Sequence, residues 1–319
     1  MVLIKYSNLT TTAMKQFLTA IALALLLPLT GLSAAEPSFR ALVLTERGGQ
    51  HESFTAAALE WLDGFSQENN FTYEEINSPR DIDSAFLARF KVFIQLDYPP
   101  YNWPDKAKAA FEQAIFDGTI GWVGFHHATL LGDFDGFPMW QWFSDFMGGI
   151  RFKNYIAETA SGKIEEQPRH PVMKGVSRSF TLPREEWYTF NRSPRPGVKV
   201  LAHVDEASYS PASDVRMGDH PAVWTNEKVK ARNVYFIMGH HAELLRSKDF
   251  TTMFGNAILW ASGPGNWFPR FRMLIHVNDG VEPAHREFAA DAVRFFRDMT
   301  IGDGFVVDTT NNADDLNDE

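Results

Sequence analysis

The sequence predicts an α/β fold, a parallel sheet with helices on both of its faces. Short runs typical of buried strands alternate along the chain with segments in which apolar residues recur at helical spacing. Strands that alternate with helices form βαβ units, and such units build parallel sheets that are covered on both faces. The composition, with 45% hydrophobic and 22% charged residues, is that of a globular protein and excludes a disordered, collagen-like or coiled-coil chain.

The first half of the chain supplies four strands and two helices. Short runs rich in apolar or aromatic residues predict strands at Phe39–Thr45, Tyr73–Ile76, Val92–Leu96 and Gly121–Phe125. Apolar residues at helical spacing predict helices at Ser53–Phe65 and Ala107–Asp117. Between the first strand and the first helix, Glu46–Gln50 contains two glycines and is a predicted loop.

The second half of the chain differs in composition from the first half, and its end again predicts a strand and a helix. Residues 150–235 are rich in proline and charge, which predicts short strands and loops. Asn233–Met238 is again an apolar run and predicts a strand. Phe250–Ala261 has the spacing of a closing helix, and Gly263-Pro264-Gly265 ends it. The main domain is therefore predicted to span residues 36–264.

The remaining residues, 265–319, predict an incomplete second copy of the first βα unit. Phe271–His276 resembles Phe39–Leu44, and His285–Phe288 resembles His51–Phe54 at an offset of 234 that also pairs Phe305 with Phe71. An acidic tail, Asp303–Glu319, ends the chain. A lone βα unit cannot bury its own apolar face, so this one must pack on the main domain, pack on another chain of a homo-oligomer, or remain loose.

Residues 1–35 have the pattern of a signal peptide whose natural start is Met14. Lys15 precedes the apolar stretch Phe17–Leu27, and the small-residue run Ser33-Ala34-Ala35 predicts cleavage before Glu36. The apolar stretch is too short to span a bilayer, and no later segment is long and apolar enough to do so. We expect a bacterial protein that is periplasmic or secreted and has no membrane span after cleavage.

Charge and missing motifs exclude several classes of function. The chain has 30 Lys and Arg against 40 Asp and Glu, a net charge of −10, whereas a general nucleic-acid binder needs a basic face. It contains no cysteine, which excludes disulfides, thiolate metal sites and cysteine nucleophiles. The serine-hydrolase elbow, the dinucleotide fingerprint, the P-loop and the H-E-x-x-H zinc motif are also missing from the sequence.

Three groups of histidines follow predicted strands at turns that contain glycine. His51 follows the first strand, His126 and His127 follow the fourth, and His240 and His241 follow the last. The carboxyl ends of parallel strands share one edge of a sheet, and ligands of open α/β sheets bind there. We expect these histidines to meet at that edge. Each of them has the alternative of merely capping a strand by hydrogen bonding.

A pair of acids and a set of aromatic rings add to these candidates. Glu185 and Glu186 precede two aromatic residues, and apolar neighbours raise a carboxyl pKa toward the range of a general acid or base. The alternative is a solvated pair on a strand edge. Neutral imidazole and carboxylate would also suit zinc or manganese, although no motif requires a cofactor. The candidate substrate-binding side chains are Trp122, His127, Trp187, Tyr188, His220, Trp224 and His241.

Taken in order, these motifs resemble the ThuA-like, or trehalose-utilisation, family over about residues 39–263. The matching segments are the turn ending in His51, Gly121–His126, Phe143–Gly149 before Phe152, His170-Pro171-Val172, Glu185–Tyr188, Asp219-His220-Pro221, Gly239-His240 and Ile258–Ala261. The family's fold is similar to that of class I glutamine amidotransferases, a flavodoxin-like parallel sandwich. Those enzymes carry a cysteine on the tight turn after a central strand. This chain has Phe125-His126 there, so amidotransfer is not carried over.

The resemblance implies carbohydrate metabolism, with disaccharides such as trehalose and their keto-sugar derivatives as the substrate class. We expect an exported lyase, hydrolase or isomerase that moves protons on a sugar or keto-glycoside. His126 is the predicted base and Glu186 the partner acid, while His51 and His240 orient hydroxyls or stabilise a developing oxyanion. The alternative from a different class is a non-catalytic sugar-binding or interaction module, or a fragment of a longer multidomain protein.

Overall fold

The protein is described by a computed structural model that covers residues 37–47, 49–164, 170–183, 185–263, 271–278, 280, 282–303 and 305–312. The predicted signal peptide and the end of the acidic tail, residues 313–319, lie outside the described residues.

The strands and helices alternate in the first half of the chain, as the sequence predicts. The strands are β1 (Arg40–Leu44), β2 (Thr72–Ile76), β3 (Val92–Gln95), β4 (Gly121–Phe125), β5 (Phe152–Ile164), β6 (Ser179–Thr181), β7 (Glu185–Phe190), β8 (Lys199–Ser210), β9 (Pro221–Thr225), β10 (Asn233–Phe236), β11 (Phe271–His276) and β12 (Phe305–Thr310). The helices are α1 (Glu52–Glu68), α2 (Ser84–Leu87), α3 (Asp105–Asp117), α4 (Gln141–Phe146), α5 (Lys248–Ala261) and α6 (Pro283–Asp303).

Five parallel strands form the core of the sheet, in the order β2-β1-β3-β4-β10. Helices cover both faces, as two residues of β4 show. Phe125 meets Phe54 of α1 and Phe254 of α5, with ring centroids 5.7 and 4.7 Å away. Trp122 meets Phe143 of α4 at 5.8 Å. Residues three apart on a strand point to opposite faces, so the predicted α/β fold is confirmed.

The sheet is mixed rather than purely parallel, because an antiparallel extension continues from β10. Strand β9 pairs antiparallel with β10, and β8, β5 and β6 follow in that order, with β7 pairing on β5. The prediction of only short strands in residues 150–235 is wrong here: β5 has 13 residues and β8 has 12. Their length follows from antiparallel pairing, since β5 bonds to β8 along one part and to β6 and β7 along others.

The C-terminal segment forms a small βαβ unit. Strands β11 and β12 pair in parallel, with Arg272 opposite Val306, and α6 connects them. In the main sheet Arg40 is opposite Thr72. The sequence alignment that pairs Phe271 with Phe39 and Phe305 with Phe71 therefore predicts the register that is found. The element order is the one that a second copy requires, and the repetition itself stays a prediction.

Within the described part of the chain, none of the helices combines the length and the apolar character needed to cross a bilayer.

Candidate functional site

Histidines that follow three parallel strands come together at the carboxyl edge of the sheet. His51 ends a short 3₁₀ turn after β1, His126 directly follows β4, and His240 follows β10. The ring centroid of His51 lies 5.0 Å from that of His126 and 4.6 Å from that of His240. All three side chains are buried. The structure thus brings together residues that are 75 to 189 positions apart in the sequence.

The turn that carries His126 is tight and held from several sides. His126 has a φ of +34°, in the left-handed region that non-glycine residues rarely occupy, and such strain is typical of functional turns. The hydroxyl of Tyr235 donates to the carbonyl oxygen of His126 at 2.9 Å. Gly239 approaches from the neighbouring strand end, where an added Cβ would lie 3.0 Å from the Cβ of His126. The position of this imidazole is therefore fixed by its surroundings.

The tautomer of His126 follows from its hydrogen bond. Its Nδ1 lies 2.9 Å from the carbonyl oxygen of Ile237, which can only accept, so Nδ1 carries the proton. Its Nε2 then holds a lone pair, is buried, and has no hydrogen-bond partner among the described residues. Burial, and next the charge of neighbouring His127, holds the pKa of His126 well below its usual range. The ring of Tyr188 covers the imidazole, with centroids 4.0 Å apart.

Glu186 completes the centre from β7. Its Oε2 lies 3.4 Å from Nε2 of His126 and 3.4 Å from Nδ1 of His240. Burial and the neighbouring histidines lower the pKa of His51, whose Nε2 is also buried without a hydrogen-bond partner in the described residues. One donor atom from each of His51, His126, His240 and Glu186 lies within 4.8 Å of the others. We call these four residues the histidine–glutamate centre.

The carboxyl group of Glu185, next to the centre, anchors the loop that carries His240. Its Oε2 accepts the backbone N–H groups of Gly239 and His240 at 3.1 Å, and its Oε1 accepts that of His241 at 3.2 Å. Burial raises the pKa of Glu185 to about 8 against these three hydrogen bonds, which lower it. The sequence predicts the acid pair but not the separate role of each acid. Glu185 holds the loop, whereas Glu186 faces the histidines.

Replacing Glu185 by alanine is expected to lower the free energy of unfolding by about 3 kcal/mol or more, because buried N–H groups left unpaired cost about 1–3 kcal/mol each. Glutamine should cost less, since its carbonyl keeps part of the bonding while its NH₂ meets backbone donors. Guanidinium unfolding at neutral pH measures both changes. An alanine variant as stable as the wild type would contradict this role.

The two remaining edge histidines lie beside the centre and are partly exposed. Nδ1 of His127 donates to the carbonyl oxygen of Asp97 at 2.9 Å, and burial lowers the pKa of His127 to about 4. Its ring centroid is 3.9 Å from that of His51. The ring of His241 lies 4.4 Å from that of His240. Both positions suit contact with a bound molecule, which is the role that the sequence predicts for them.

The three tryptophans predicted to stack on a sugar lie in the core instead. Trp122, Trp187 and Trp224 have no exposed surface. Nε1 of Trp122 donates to the side chain of Gln95 at 3.2 Å, and the ring of Trp224 packs 4.4 Å from that of Tyr235. In this structure none of the three presents a ring face to solvent. Trp122 and Trp224 lie on β4 and β9, which have a neighbouring strand on each side, and Trp187 lies on β7, whose residues are all buried.

His220 lies in a separate buried cluster that contacts the backbone of Tyr188, next to the centre. Its Nε2 donates to the carbonyl oxygen of Tyr188 at 2.9 Å, and its Nδ1 lies 3.0 Å from both Oε1 of Glu206 and the hydroxyl of Tyr209. His220 therefore holds the backbone of Tyr188, the residue that covers His126. It does not join the histidine–glutamate centre.

The stability of this cluster should depend on pH through Glu206. Burial alone would raise the pKa of Glu206, but hydrogen bonds from His220 and from the backbone N–H groups of Met217 and Gly218 outweigh it and lower the pKa to about 2. Because the pKa of Glu206 is lower in the folded state, its ionisation stabilises the folded state at pH values above the unfolded-state pKa. This stabilisation is lost as the pH falls from about 4.5 toward 2.

Glu206→Gln is expected to lower the free energy of unfolding by about 1–3 kcal/mol at pH 7 and by progressively less below pH 4.5. Urea unfolding of both proteins across this pH range measures the difference. A difference that stays constant from pH 7 to pH 3 would show that Glu206 is not stabilised as a carboxylate.

One buried acid of the site is not among the residues that the sequence patterns indicate. Asp97 is 1% exposed, follows β3 at the same edge, and accepts the backbone N–H of Glu46 at 2.8 Å. The rule that polar residues after parallel strands gather at one edge would have found it.

These observations define a class: an α/β protein with a mixed sheet and a buried histidine–glutamate centre at the carboxyl edge of its parallel strands. The family model for trehalose utilisation, ThuA, matches residues 40–261, the span from β1 to α5. The chain belongs to this family, and the family predicted from the sequence is confirmed. No curated protein matches the chain at a significant level.

Three solved structures are similar to this chain to different degrees. A ThuA-like protein from Bacteroides uniformis ATCC 8492 is 29% identical, with a TM-score of 0.63 over 73% of this chain and 94% of that one. A ThuA-like protein from Parabacteroides merdae ATCC 43184 is 18% identical, with a TM-score of 0.54 over 71% and 90%. The CTPS glutaminase domain of Trypanosoma brucei with bound acivicin aligns at 8% identity and a TM-score of 0.42, over 69% and 93%.

Proposed function

We propose that the chain is an exported enzyme of carbohydrate metabolism that transforms a sugar or keto-glycoside by proton transfer at the histidine–glutamate centre. The observation that carries the proposal is that Nε2 of His51 and Nε2 of His126, which have no hydrogen-bond partner among the described residues, meet the carboxylate of Glu186 at the ligand-binding edge. Buried polar atoms without partners are costly and are concentrated at functional sites. Membership of the trehalose utilisation family supports a disaccharide or keto-sugar as the substrate class.

Keto-sugar chemistry fits a centre that holds neutral bases. A keto group acidifies the neighbouring C–H, so that a base can remove the proton while the electron pair moves onto the carbonyl oxygen. Return of the proton at another atom isomerises the sugar, and loss of a neighbouring substituent is an elimination. General bases of this kind contribute about 10²–10⁴-fold to rate.

The solvent exposure of the four side chains indicates which of them can contact a substrate directly. His126 has no exposed surface, whereas Glu186 and His240 are 9% and 8% exposed. The base predicted at His126 therefore reaches a substrate only through Glu186 or through a molecule that the four side chains hold. His51 acts from the same buried layer, and His127 and His241 lie outside it, where sugar hydroxyls would meet them.

Product analysis tests the proposal. The mature protein is incubated with trehalose, other disaccharides and their 3-keto forms, with and without added divalent metal, and the products are identified by mass spectrometry and NMR. We expect turnover of the keto forms only. Line broadening of sugar signals without turnover would contradict the enzyme hypothesis and support a sugar-binding module. The absence of any interaction with these sugars would contradict both hypotheses.

Export is a separate part of the proposal with its own test. N-terminal sequencing of the protein from cell fractions should find a periplasmic or secreted chain that begins at Glu36. A cell-associated chain that keeps residues 1–35 would contradict export.

A further inference from the structure

We propose that His51, His126, His240 and Glu186 form a binding site for one divalent transition-metal ion, with zinc and manganese as the first candidates. Three imidazoles and one carboxylate suit such ions, whereas magnesium and calcium prefer sites made of oxygen. The inference goes beyond the proposed function, because it rests on the geometry of the four side chains and holds whatever the substrate is.

The spacing of the donor atoms matches a metal site. Ligands about 2.1 Å from a tetrahedral zinc ion stand about 3.4 Å from one another. Oε2 of Glu186 lies 3.4 Å from Nε2 of His126 and 3.4 Å from Nδ1 of His240. These separations exceed an ordinary hydrogen bond between nitrogen and oxygen. All four donor atoms lie within 4.8 Å of one another. Opposite ligands of one ion stand about 4.2 Å apart, so small side-chain rotations would close the four donors around an ion.

The hydrogen bond at Nδ1 of His126 also supports a metal ion at this position. The Nδ1 proton of His126 goes to the carbonyl of Ile237, which leaves the Nε2 lone pair facing a carboxylate oxygen that also carries lone pairs. Two acceptors side by side repel unless a proton or a cation lies between them. A metal ion between Nε2 of His126 and Oε2 of Glu186 would remove this repulsion, because both lone pairs would then face a cation.

The surroundings of the ligands are those of a prepared metal site. Metal-binding histidines almost always donate their other ring N–H to a carbonyl or carboxylate, as His126 does to Ile237. Glu185 fixes the loop of His240 through three backbone hydrogen bonds. Tyr235 fixes the turn of His126 through its carbonyl oxygen. A bound divalent ion would polarise a carbonyl oxygen or activate a water at the edge where ligands bind.

Metal content tests the site without any sugar assay. The full-length protein is purified without chelator, and its zinc, manganese, iron, cobalt and nickel are counted by inductively coupled plasma mass spectrometry. Stripped protein is then titrated with zinc or manganese by calorimetry. We expect about one equivalent per chain, and a thermal unfolding midpoint that rises with metal and falls with EDTA.

Three variants make the test specific. Glu186→Gln and His240→Gln should weaken metal binding at least about 100-fold, more than removal of a partner that only orients a ligand usually costs. His285→Gln removes an exposed histidine that the sequence alignment pairs with His51, and it should bind metal as the wild type does. Circular dichroism checks that each variant is folded.

The outcomes separate this inference from the proposed function. Wild-type protein without metal affinity, or variants that bind as tightly as the wild type, would overturn the site. Loss of metal in Glu186→Gln and His240→Gln would support it, even if no keto-sugar were turned over.

Discussion

Replacing Glu186 by glutamine is expected to lower kcat/KM for a keto-sugar substrate by about 10²–10⁴-fold, the range that general acid–base groups contribute. Glutamine has the shape of glutamate but is neutral, cannot accept a proton at physiological pH, and binds metal more weakly. Oε2 of Glu186 is the atom shared by His126 and His240 at 3.4 Å, so the substitution disturbs both contacts at once. Continuous NMR of substrate loss measures the change.

Glu227→Gln provides the matched control, because the Glu227 side chain is 60% exposed and pairs only with Lys199 on the surface in the described contacts. It should leave kcat/KM unchanged. Comparable losses in both variants would point to a general effect of lost charge. A Glu186→Gln enzyme with wild-type activity would remove the histidine–glutamate centre from the mechanism.

Replacing Gly121 by alanine is expected to lower the free energy of unfolding by about 3 kcal/mol or more, at the upper end of overpacking effects. A Cβ at this first residue of β4 would stand 2.0 Å from the carbonyl oxygen of Ala261, at the end of α5. The oxygen is a backbone atom, and the position of the Cβ is fixed by the backbone of β4, so strand and helix must separate. Guanidinium unfolding followed by circular dichroism measures the loss.

Gly64→Ala is the control for this effect. Gly64 is an exposed residue within α1, and an added Cβ there meets nothing within 4 Å. Alanine should raise the free energy of unfolding by about 0.5–1 kcal/mol, because glycine is the costlier residue inside a helix. A Gly121→Ala protein that is as stable as Gly64→Ala would show that α5 does not press on β4 as described.

The parallel half of the fold could be predicted from the sequence because local pattern and position agree there. Val92–Gln95 and Gly121–Phe125 are short and wholly buried, and the residues between them form an amphipathic helix. The antiparallel extension could not be predicted in the same way. The lengths of β5 and β8 depend on which distant strands pair with them, and register between distant strands leaves little trace in local composition.

The candidate site could also be predicted only in part from the sequence. The sequence predicts that His51, His126 and His240 meet, because each follows a parallel strand and the carboxyl ends of such strands share one edge of the sheet. Glu185 and Glu186 are adjacent in sequence, yet one binds three backbone N–H groups and the other faces two imidazoles. The direction of a side chain inside a packed site depends on its neighbours in space.

The sequence by itself determined the α/β class, the family and the edge at which the histidines gather, since these depend on periodicity, motif order and chain direction. Only the tertiary structure decided that Trp122 and Trp224 are core and that His220 belongs to a separate cluster. It also decided that His126 is wholly buried, with Nδ1 hydrogen-bonded and Nε2 without a hydrogen-bond partner in the described part of the chain. Burial and hydrogen-bond partners are properties of the packed chain, because they arise from contacts between segments far apart in sequence.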